Sequence, residues 1–257
     1  MPREATIEEI EATEKSVVDA VPQLRALGFD GVEIHSCHGY FAFSFLTPRL
    51  NKRTDKYGGS FENRTRFLRN MIQESRKKVG DGFIIGTRLT LDEHVPGGLT
   101  IKDTKEICKA VEEWGVDYIS FSDGSYDAFK YFIPNEDGTM LDNAAIIKSV
   151  VKIPVITTSI HDPEMAEDSV KEGKTDMVGL ARGLLADPEW ANKVARGERP
   201  VKCIRCNCGC WDRLMLGLPL RCLLNPEAGF EQYNPKYWPS KAPHKNVEMP
   251  HVRLGSL

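Results

Sequence analysis

Four cysteines near the end of the chain have a spacing that is typical of a metal centre. Cys203, Cys206, Cys210 and Cys222 form the pattern C-x2-C-x3-C-x11-C, in the run CIRCNCGCWDRLMLGLPLRC. Thiols at such separations either gather around a metal or pair as disulfides. A 4Fe-4S cluster is held by four thiolates, three of them usually close in sequence, so the spacing favours an iron–sulfur cluster and single-electron chemistry.

Other interpretations of these cysteines stay open. Zinc also accepts four thiolates, although it more often takes them from two C-x2-C pairs. Disulfides are disfavoured because the N-terminus shows no signal peptide and the remaining sequence is typical of an intracellular enzyme. Unligated cysteines are the third alternative. Cys208 lies inside the run and competes as a ligand, whereas Cys37 and Cys108 stand alone and are expected to be small buried hydrophobes.

The composition is that of an ordinary globular protein. Of its 257 residues, 41% are hydrophobic and 28% are charged, and 34 basic against 37 acidic residues give a net charge of -3. We find no basic stripe for nucleic acid and no polybasic cluster for a membrane surface. No apolar run approaches the roughly 20 residues that cross a bilayer. These features predict one large or two small α/β domains in the cytoplasm.

Short apolar segments alternate with helical patterns along the chain. We predict strands at residues 31–34, 83–88, 116–121, 154–158 and 177–180. We predict helices at residues 7–27, 62–79, 101–114, 143–150, from 163 onward, and 188–196. Pro22 is expected to kink or interrupt the first helix. Strands separated by helices in this way indicate parallel βαβ units.

Five such units suit either a doubly wound sheet or part of a (β/α)8 barrel. The Gly-x-Gly-x-x-Gly turn of a dinucleotide-binding sheet is absent after each predicted strand. Polar residues instead follow the predicted strands, where barrel enzymes keep their chemistry. These residues are His35, Arg88, Ser122, Thr158, Ser159 and Arg182. The pattern therefore favours the barrel.

Residues 28–67, GFDGVEIHSCHGYFAFSFLTPRLNKRTDKYGGSFENRTRF, resemble the old yellow enzyme family of flavin oxidoreductases. The cysteine run is similar to that of its iron–sulfur branch, which includes 2,4-dienoyl-CoA reductase, trimethylamine dehydrogenase and bile-acid flavin reductases. The resemblance spans residues 5–229. It implies an FMN-binding, incomplete TIM-type barrel (strands four to eight) at residues 1–200, a 4Fe-4S segment at 201–230 and an irregular tail at 231–257.

The resemblance also implies parts that this sequence does not contain. Relatives carry three earlier barrel strands, which contribute to the flavin site, and usually a later nucleotide-binding domain. We therefore expect the missing barrel half to come from a partner chain or a longer precursor, and the chain alone to hold little flavin. NAD(P)H electrons are expected to arrive through FAD on an absent domain or a separate donor protein. A homo-oligomer is compatible with this family.

The family match places catalytic residues in the run His35 to Tyr40. Tyr40 matches the tyrosine that donates a proton to the reduced alkene, and its alternative interpretation is a loop tyrosine with a solvated hydroxyl. His35 and His38 match the pair that binds a substrate carbonyl or carboxylate. They are also half of a zinc motif, but no third ligand lies at a useful spacing. Dienoyl-CoA reductases lack this histidine pair, and their own catalytic histidine falls near Tyr126.

The same match assigns residues to the flavin. Arg88 matches an arginine beside the flavin pyrimidine edge; the alternative is a strand-end arginine in a surface ion pair. Phosphate contacts fall on Thr158, Ser159, Ala181 and Arg182, although the turn after residue 158 is one residue short and lacks a basic residue. The loop from 51 to 64 is expected to be architectural, with a turn at Gly58-Gly59 and Ser60 capping a helix.

Together these features predict an FMN- and 4Fe-4S-dependent oxidoreductase. It would reduce an alkene conjugated to a carbonyl or thioester with NAD(P)H electrons. The alternatives are an amine dehydrogenase of the trimethylamine dehydrogenase type and a truncated, non-catalytic cluster-binding remnant.

Overall fold

The computed structural model describes residues 3–233, and within them the chain builds one parallel sheet. Its five strands lie in chain order, each hydrogen-bonded to the next. They are β1 (Gly31–Ser36), β2 (Ile84–Thr90), β3 (Tyr118–Ser122), β4 (Val155–Thr158) and β5 (Met177–Gly179). The five predicted strands are confirmed, with ends that move by one or two residues. Strictly sequential parallel order is the arrangement of a barrel wall.

Helices connect the strands and cover one face of the sheet. Those of eight residues or more are α1 (Ile7–Ala26), α3 (Phe61–Val79), α4 (Ile101–Glu113), α6 (Leu141–Lys148) and α7 (Pro163–Lys171). The short ones are α2 (Phe41–Leu46), α5 (Phe129–Phe132), α8 (Arg182–Ala186), α9 (Trp190–Ala195) and α10 (Trp211–Met215), with 3-10 turns at Tyr126–Ala128 and Glu231–Tyr233. The predicted long helices are confirmed, and most of the short ones were not predicted.

The predicted interruption at Pro22 is wrong, since α1 is continuous from Ile7 to Ala26, whereas a kink at Pro22 stays a prediction. A proline inside a helix removes one backbone hydrogen bond. Here the helix begins with a capping box, in which Thr6 and Glu9 satisfy each other's backbone N–H groups. Val18 and Val21, three residues apart and both shortly before Pro22, are buried. The capping box and the buried valines therefore stabilise the helix by more than the loss of one backbone hydrogen bond at Pro22 destabilises it.

The loop before α3 is built as the sequence predicts. Ser60 accepts a hydrogen bond from the backbone N–H of Asn63 at 3.3 Å and so caps α3. Asn51 donates to the carbonyls of Phe45 and Tyr57, both at 2.8 Å. These contacts hold the loop's backbone, which confirms an architectural role for this segment.

The two faces of the sheet differ in polarity. The face beneath the helices carries a buried apolar core, with Ile85, Ile119 and Val155 fully enclosed. The opposite face carries Glu33, His35, Arg88 and Ser120 on three adjacent strands. Successive residues of a strand point to opposite faces of the sheet. The apolar residues therefore pack against the helices, and the polar residues face the barrel interior.

The sheet has two edges among the described residues, because β1 pairs only with β2 and β5 only with β4. A groove of about 430 Å³ follows the free edge of β1 and is lined mainly by apolar side chains of α1 and β1. Two open edges were predicted for an incomplete barrel. An unpaired edge is a template for pairing with another strand.

The described chain divides into two compact units, one ending at Arg205 and one beginning at Cys206. The predicted boundary between barrel and cysteine segment, after residue 200, lies close to this division. The predicted irregular tail falls, from residue 234 onward, outside the described residues. In the part of the chain that the structure describes, we found no helix with the length and apolarity to cross a membrane.

Gly86 gives a test of the packing between β2 and β3. A Cβ atom on this residue would overlap the ring of Tyr118 on the neighbouring strand. We expect Gly86→Ala to lower the free energy of unfolding by about 1–3 kcal/mol, because the ring must leave its position. Urea unfolding followed by circular dichroism measures this. Gly82→Ala is the matched control, since the nearest atom to its Cβ, Arg25 Nη2, is 3.5 Å away. Equal stabilities of the two variants would contradict this account.

Candidate functional site

A hydrogen-bonded network lies on the interior face of the sheet. The parallel register sets His35 beside Arg88 and Arg88 beside Ser120. Arg88 Nε donates to Glu33 Oε1 at 2.8 Å and to Ser120 Oγ at 3.1 Å. Ser120 Oγ in turn donates to Glu33 Oε2 at 2.6 Å. Arg88 is therefore an ion-paired residue held by two neighbouring strands, and the sequence did not identify Glu33 or Ser120 as its partners.

Two nitrogens of the Arg88 guanidinium are available to donate hydrogen bonds to a bound molecule. Its hydrogen bonds within residues 3–233 all involve Nε, so Nη1 and Nη2 make none with this part of the chain. The side chain is about one-third exposed, at 35%. Two N–H-bearing nitrogens beside an oriented ion pair suit an anionic or carbonyl acceptor in the barrel interior.

The turn after β1 gathers two histidines. His38 has a φ of 64° and is 8% exposed, and its backbone N–H donates to Thr90 Oγ1 at 3.3 Å. Its Nε2 contacts Ser122 Oγ at the end of β3. The rings of His35 and His38 have centroids 5.3 Å apart. The left-handed turn thus brings both imidazoles to the same end of the sheet.

Burial favours the neutral form of both imidazoles, strongly for His38 and less for the more exposed His35. It lowers the pKa of His38 to about 3, with the neighbouring His35 and Arg88 adding to the shift. Burial and the charge of Arg88 also lower the pKa of His35. A neutral imidazole has one N–H donor and one lone pair, so each ring can donate a hydrogen bond to an oxygen or bind a metal.

Tyr40 meets a second tyrosine at this end of the sheet. The hydroxyl oxygens of Tyr40 and Tyr126 are 2.7 Å apart, and the rings meet edge to face with centroids 5.9 Å apart. Both side chains are about half exposed. The hydrogen bond raises the pKa of Tyr126. The ring of His35 lies 5.3 Å from that of Tyr40, so the structure brings together four predicted groups: His35, His38, Tyr40 and Tyr126.

The predicted phosphate residues lie at the ends of β4 and β5. The register pairs Thr158 with Gly179, which brings the turn at Ser159 next to the start of α8 at Ala181. Ser159 has a φ of 63°, and Thr158 Oγ1 donates to the carbonyl of Phe121 at 2.9 Å. The two predicted segments are therefore neighbours.

An arginine outside the predicted set also reaches this edge. Arg205 donates to the carbonyls of Pro134 and Ser159 at 2.8 and 2.9 Å and forms an ion pair with Asp137. Its side chain is 7% exposed. Arg182 Nη2 donates to the same Pro134 carbonyl at 2.9 Å. Arg205 is therefore a basic residue beside the turn after β4, but it is buried and already bonded to Asp137 and to two backbone carbonyls.

His161 lies two residues beyond Ser159 and is 2% exposed. Its Nδ1 makes no hydrogen bond within the described chain, and the nearest carboxylate oxygen, on Asp137, is 3.7 Å away. Burial lowers the pKa of His161 to about 4, and the positive charge of Arg205 acts in the same direction. The folded protein therefore holds this imidazole in its neutral form.

This histidine predicts a pH dependence of stability. Its unfolded pKa is about 6.5, so as the pH falls below that value the unfolded chain binds a proton that the folded chain does not. Its contribution is complete above about pH 6.5 and is lost as the pH falls toward 4. We expect the free energy of unfolding to drop by about 2 kcal/mol between pH 6.5 and pH 5 on its account. Urea midpoints for the parent and His161→Gln measure this, and equal pH slopes would contradict it.

Within residues 3–233 none of the cysteines forms a disulfide. In the first unit, the backbone N–H of Arg205 donates to Cys203 Sγ at 3.4 Å. In the second unit, Arg221 N donates to the carbonyl of Gly209 at 2.7 Å, which joins the residues adjacent to Cys210 and Cys222. The thiols of Cys206, Cys210 and Cys222 are not all within 4.8 Å of one another.

A compact group of metal-binding side chains is found elsewhere. The ligand atoms of His35, Cys37 and His38 all lie within 4.8 Å of one another, and within residues 3–233 no other group of three or more meets this distance. Cys37 Sγ is 3.5 Å from His35 Nε2. The sequence spacing predicts no third ligand for the histidine pair, whereas the folded chain brings the Cys37 thiol within reach of both rings.

Comparison with known families now decides the class of protein. Residues 1–200 match the model of the NADH:flavin oxidoreductase / NADH oxidase family. The chain belongs to this family. This confirms the resemblance of residues 28–67 to the old yellow enzyme family.

Individual relatives match over most of this chain. An NADH oxidase of Thermoanaerobacter brockii is 44% identical over 237 residues, which cover 90% of this chain and 36% of the relative. A cinnamate reductase of Clostridium sporogenes is 35% identical, covering 90% of this chain and 38% of the relative. The structure of 2-naphthoyl-CoA reductase with 2-naphthoyl-CoA matches with a TM-score of 0.86 and 33% identity, over 92% of this chain and 37% of that one.

The chain therefore spans a little more than a third of the length of these relatives. The structural likeness confirms the predicted fold, because the five-stranded sheet and its helices correspond to part of a TIM-type barrel.

Proposed function

We propose that this chain is the catalytic part of an enzyme that reduces an alkene conjugated to a carbonyl or thioester. The observation that carries the proposal is the grouping of two neutral imidazoles with the hydrogen-bonded phenols of Tyr40 and Tyr126. These groups offer N–H and O–H donors at one end of the sheet. Donors of this kind complement the negative charge that develops on the substrate oxygen.

His35 and His38 bind the substrate oxygen in this proposal. Each neutral ring donates one N–H, and the contact between His38 and Ser122 fixes the orientation of the more buried ring. Two donors on one oxygen stabilise an enolate-like charge more in the transition state than in the ground state.

Tyr40 donates the proton to the substrate carbon. Phenols keep their proton at neutral pH, and the side chain is exposed enough to meet a substrate. Tyr126 holds the Tyr40 hydroxyl at 2.7 Å and, because it is exposed too, returns a proton from solvent after each turnover. Tyr126 thereby takes the place of the histidine of dienoyl-CoA reductases.

Arg88, Thr158, Ser159, Ala181 and Arg182 hold FMN in this proposal. The uncommitted Nη1 and Nη2 of Arg88 fit the pyrimidine edge, and the adjoining turns after β4 and β5 fit the phosphate. FMN, when bound, supplies the hydride that adds to the other alkene carbon.

Cys203, Cys206, Cys210 and Cys222 hold a 4Fe-4S cluster, within a segment that we place at residues 201–230. The absence of disulfides within residues 3–233, the N–H donated to Cys203 and the sequence spacing of the four thiols support a cluster. Such a cluster relays electrons, here from NAD(P)H through FAD on a further domain or donor protein. Strands that complete the barrel would pair with the open edges of β1 and β5.

Anaerobic turnover of the holoenzyme tests this function. We expect NADH oxidation with a cinnamate-type enoate or an enoyl-CoA thioester, and no oxidation of a tertiary amine when an artificial electron acceptor is supplied. Oxidation of trimethylamine without enoyl reduction would identify an amine dehydrogenase instead. Iron and sulfide without FMN after reconstitution would identify a cluster-binding remnant and reject the proposal.

A further inference from the structure

The geometry points to a second metal site at His35, Cys37 and His38, which takes a borderline thiophilic divalent ion such as Zn²⁺. The site lies at the histidines to which we assign the substrate oxygen. It is separate in residues and chemistry from the four-cysteine segment.

The distances are close to those of a zinc site. With bonds of about 2.0 Å to nitrogen and 2.3 Å to sulfur, tetrahedral ligand atoms stand about 3.3–3.6 Å apart. Cys37 Sγ and His35 Nε2 are already at 3.5 Å, and all three ligand atoms lie within 4.8 Å. His35 is exposed at the end of the sheet. A rotation of its side chain can therefore bring the three ligand atoms from within 4.8 Å to the separations of a tetrahedral site.

The chain also supplies the surroundings that metal-binding imidazoles need. The His38 ring is oriented by its contact with Ser122, and metal ligands are commonly fixed by such second partners. Cys37 is fully enclosed beside both imidazoles, so a metal ion must displace the thiol proton as it binds. Three protein ligands leave a fourth position open for water or a substrate atom.

A metal here competes with the substrate, a consequence that rests on the proposed function. An ion bound to both imidazoles takes ring nitrogens and space that the substrate oxygen needs for its contacts with the N–H groups. Zinc is then an inhibitor that raises KM for the enoyl substrate, and a chelator reverses its effect.

Cobalt binding to the cluster-loaded holoenzyme tests the site without reference to activity. Co²⁺ reports a tetrahedral thiolate site by its visible bands and near-ultraviolet charge-transfer absorption. The parent and Cys108→Ala should bind one Co²⁺ more per chain than Cys37→Ala. Cys108 is the matched control because it is equally enclosed and lies on α4 outside the group. Ser122→Ala should weaken Co²⁺ binding about 10–100-fold.

Equal Co²⁺ stoichiometry in Cys37→Ala and Cys108→Ala overturns the site. Should Cys37→Ala fail to fold by circular dichroism, Cys37→Ser and His35→Ala replace it, and retention of the thiolate band in His35→Ala also overturns it. Zinc inhibition is measured separately. Tight Co²⁺ binding without competition against the enoyl substrate would leave the metal site standing and reject the assignment of the histidines to the substrate.

Discussion

Cys210→Ser should abolish cluster assembly and, with it, electron delivery from NADH. We expect iron and acid-labile sulfide to fall from about four of each per chain to below one, because serine is a poor substitute for one of the four thiolates. NADH-driven flavin reduction should fall by at least about 100-fold, while direct chemical reduction of the flavin stays possible. Iron and sulfide analysis, visible absorption and stopped-flow flavin reduction on anaerobically purified holoenzyme measure these effects.

Cys208→Ser is the matched control. Cys208 lies two residues from both Cys206 and Cys210, is exposed, and donates its thiol to the Cys206 carbonyl at 3.2 Å. The C-x2-C-x3-C-x11-C spacing leaves it out of the ligand set, so its variant should keep full iron content. One zinc ion per chain without sulfide in the parent would contradict the cluster, and loss of iron in Cys208→Ser would contradict this choice of ligands.

The strands could be predicted because each is a short apolar run with a turn on either side. Ile119 and Val155, for example, are fully buried beneath helices and leave no other interpretation of their segments. The short helices could not be predicted in the same way. Helix α2, Phe41–Leu46, has six residues, fewer than two turns, so no helical period develops in its sequence. Its packing against the core, with Phe43 and Phe45 buried, decides its conformation.

Some residues of the candidate site could be predicted from the sequence, and others could be found only in the folded structure. His35, His38 and Tyr40 stand within six residues, so a resemblance over one segment identifies them together. The groups around them come from distant parts of the chain, as Ser120 is 87 residues from Glu33 in the interior network. Such contacts depend on strand register, which only the folded sheet sets. Cys37 is buried, as its isolated position in the sequence predicts, but only the turn at His38 shows that its thiol lies beside two imidazoles.

Tyr40→Phe should slow alkene reduction by about 10²–10⁴-fold, the usual contribution of a positioned general acid. The substitution keeps the ring and its contact with His35 but removes the hydroxyl that lies 2.7 Å from that of Tyr126. Flavin reduction by NADH should be unchanged, since this half-reaction transfers no proton to the substrate. Stopped-flow measurement of the two half-reactions separates them, and circular dichroism confirms folding of the variant.

The Tyr126→Phe variant tests whether Tyr126 donates the proton itself or only supports donation by Tyr40. Because Tyr126 acts through Tyr40, its loss should cost less, about tenfold, and the rate should recover in part with a small added acid that supplies protons from solution. The addition should not rescue Tyr40→Phe to the same level, since that variant leaves no group held at the substrate carbon. A Tyr40→Phe enzyme that reduces the enoyl substrate at half the parent rate or faster would show that the proton comes from elsewhere, and the pair of phenols would then be a packing contact at the mouth of the barrel.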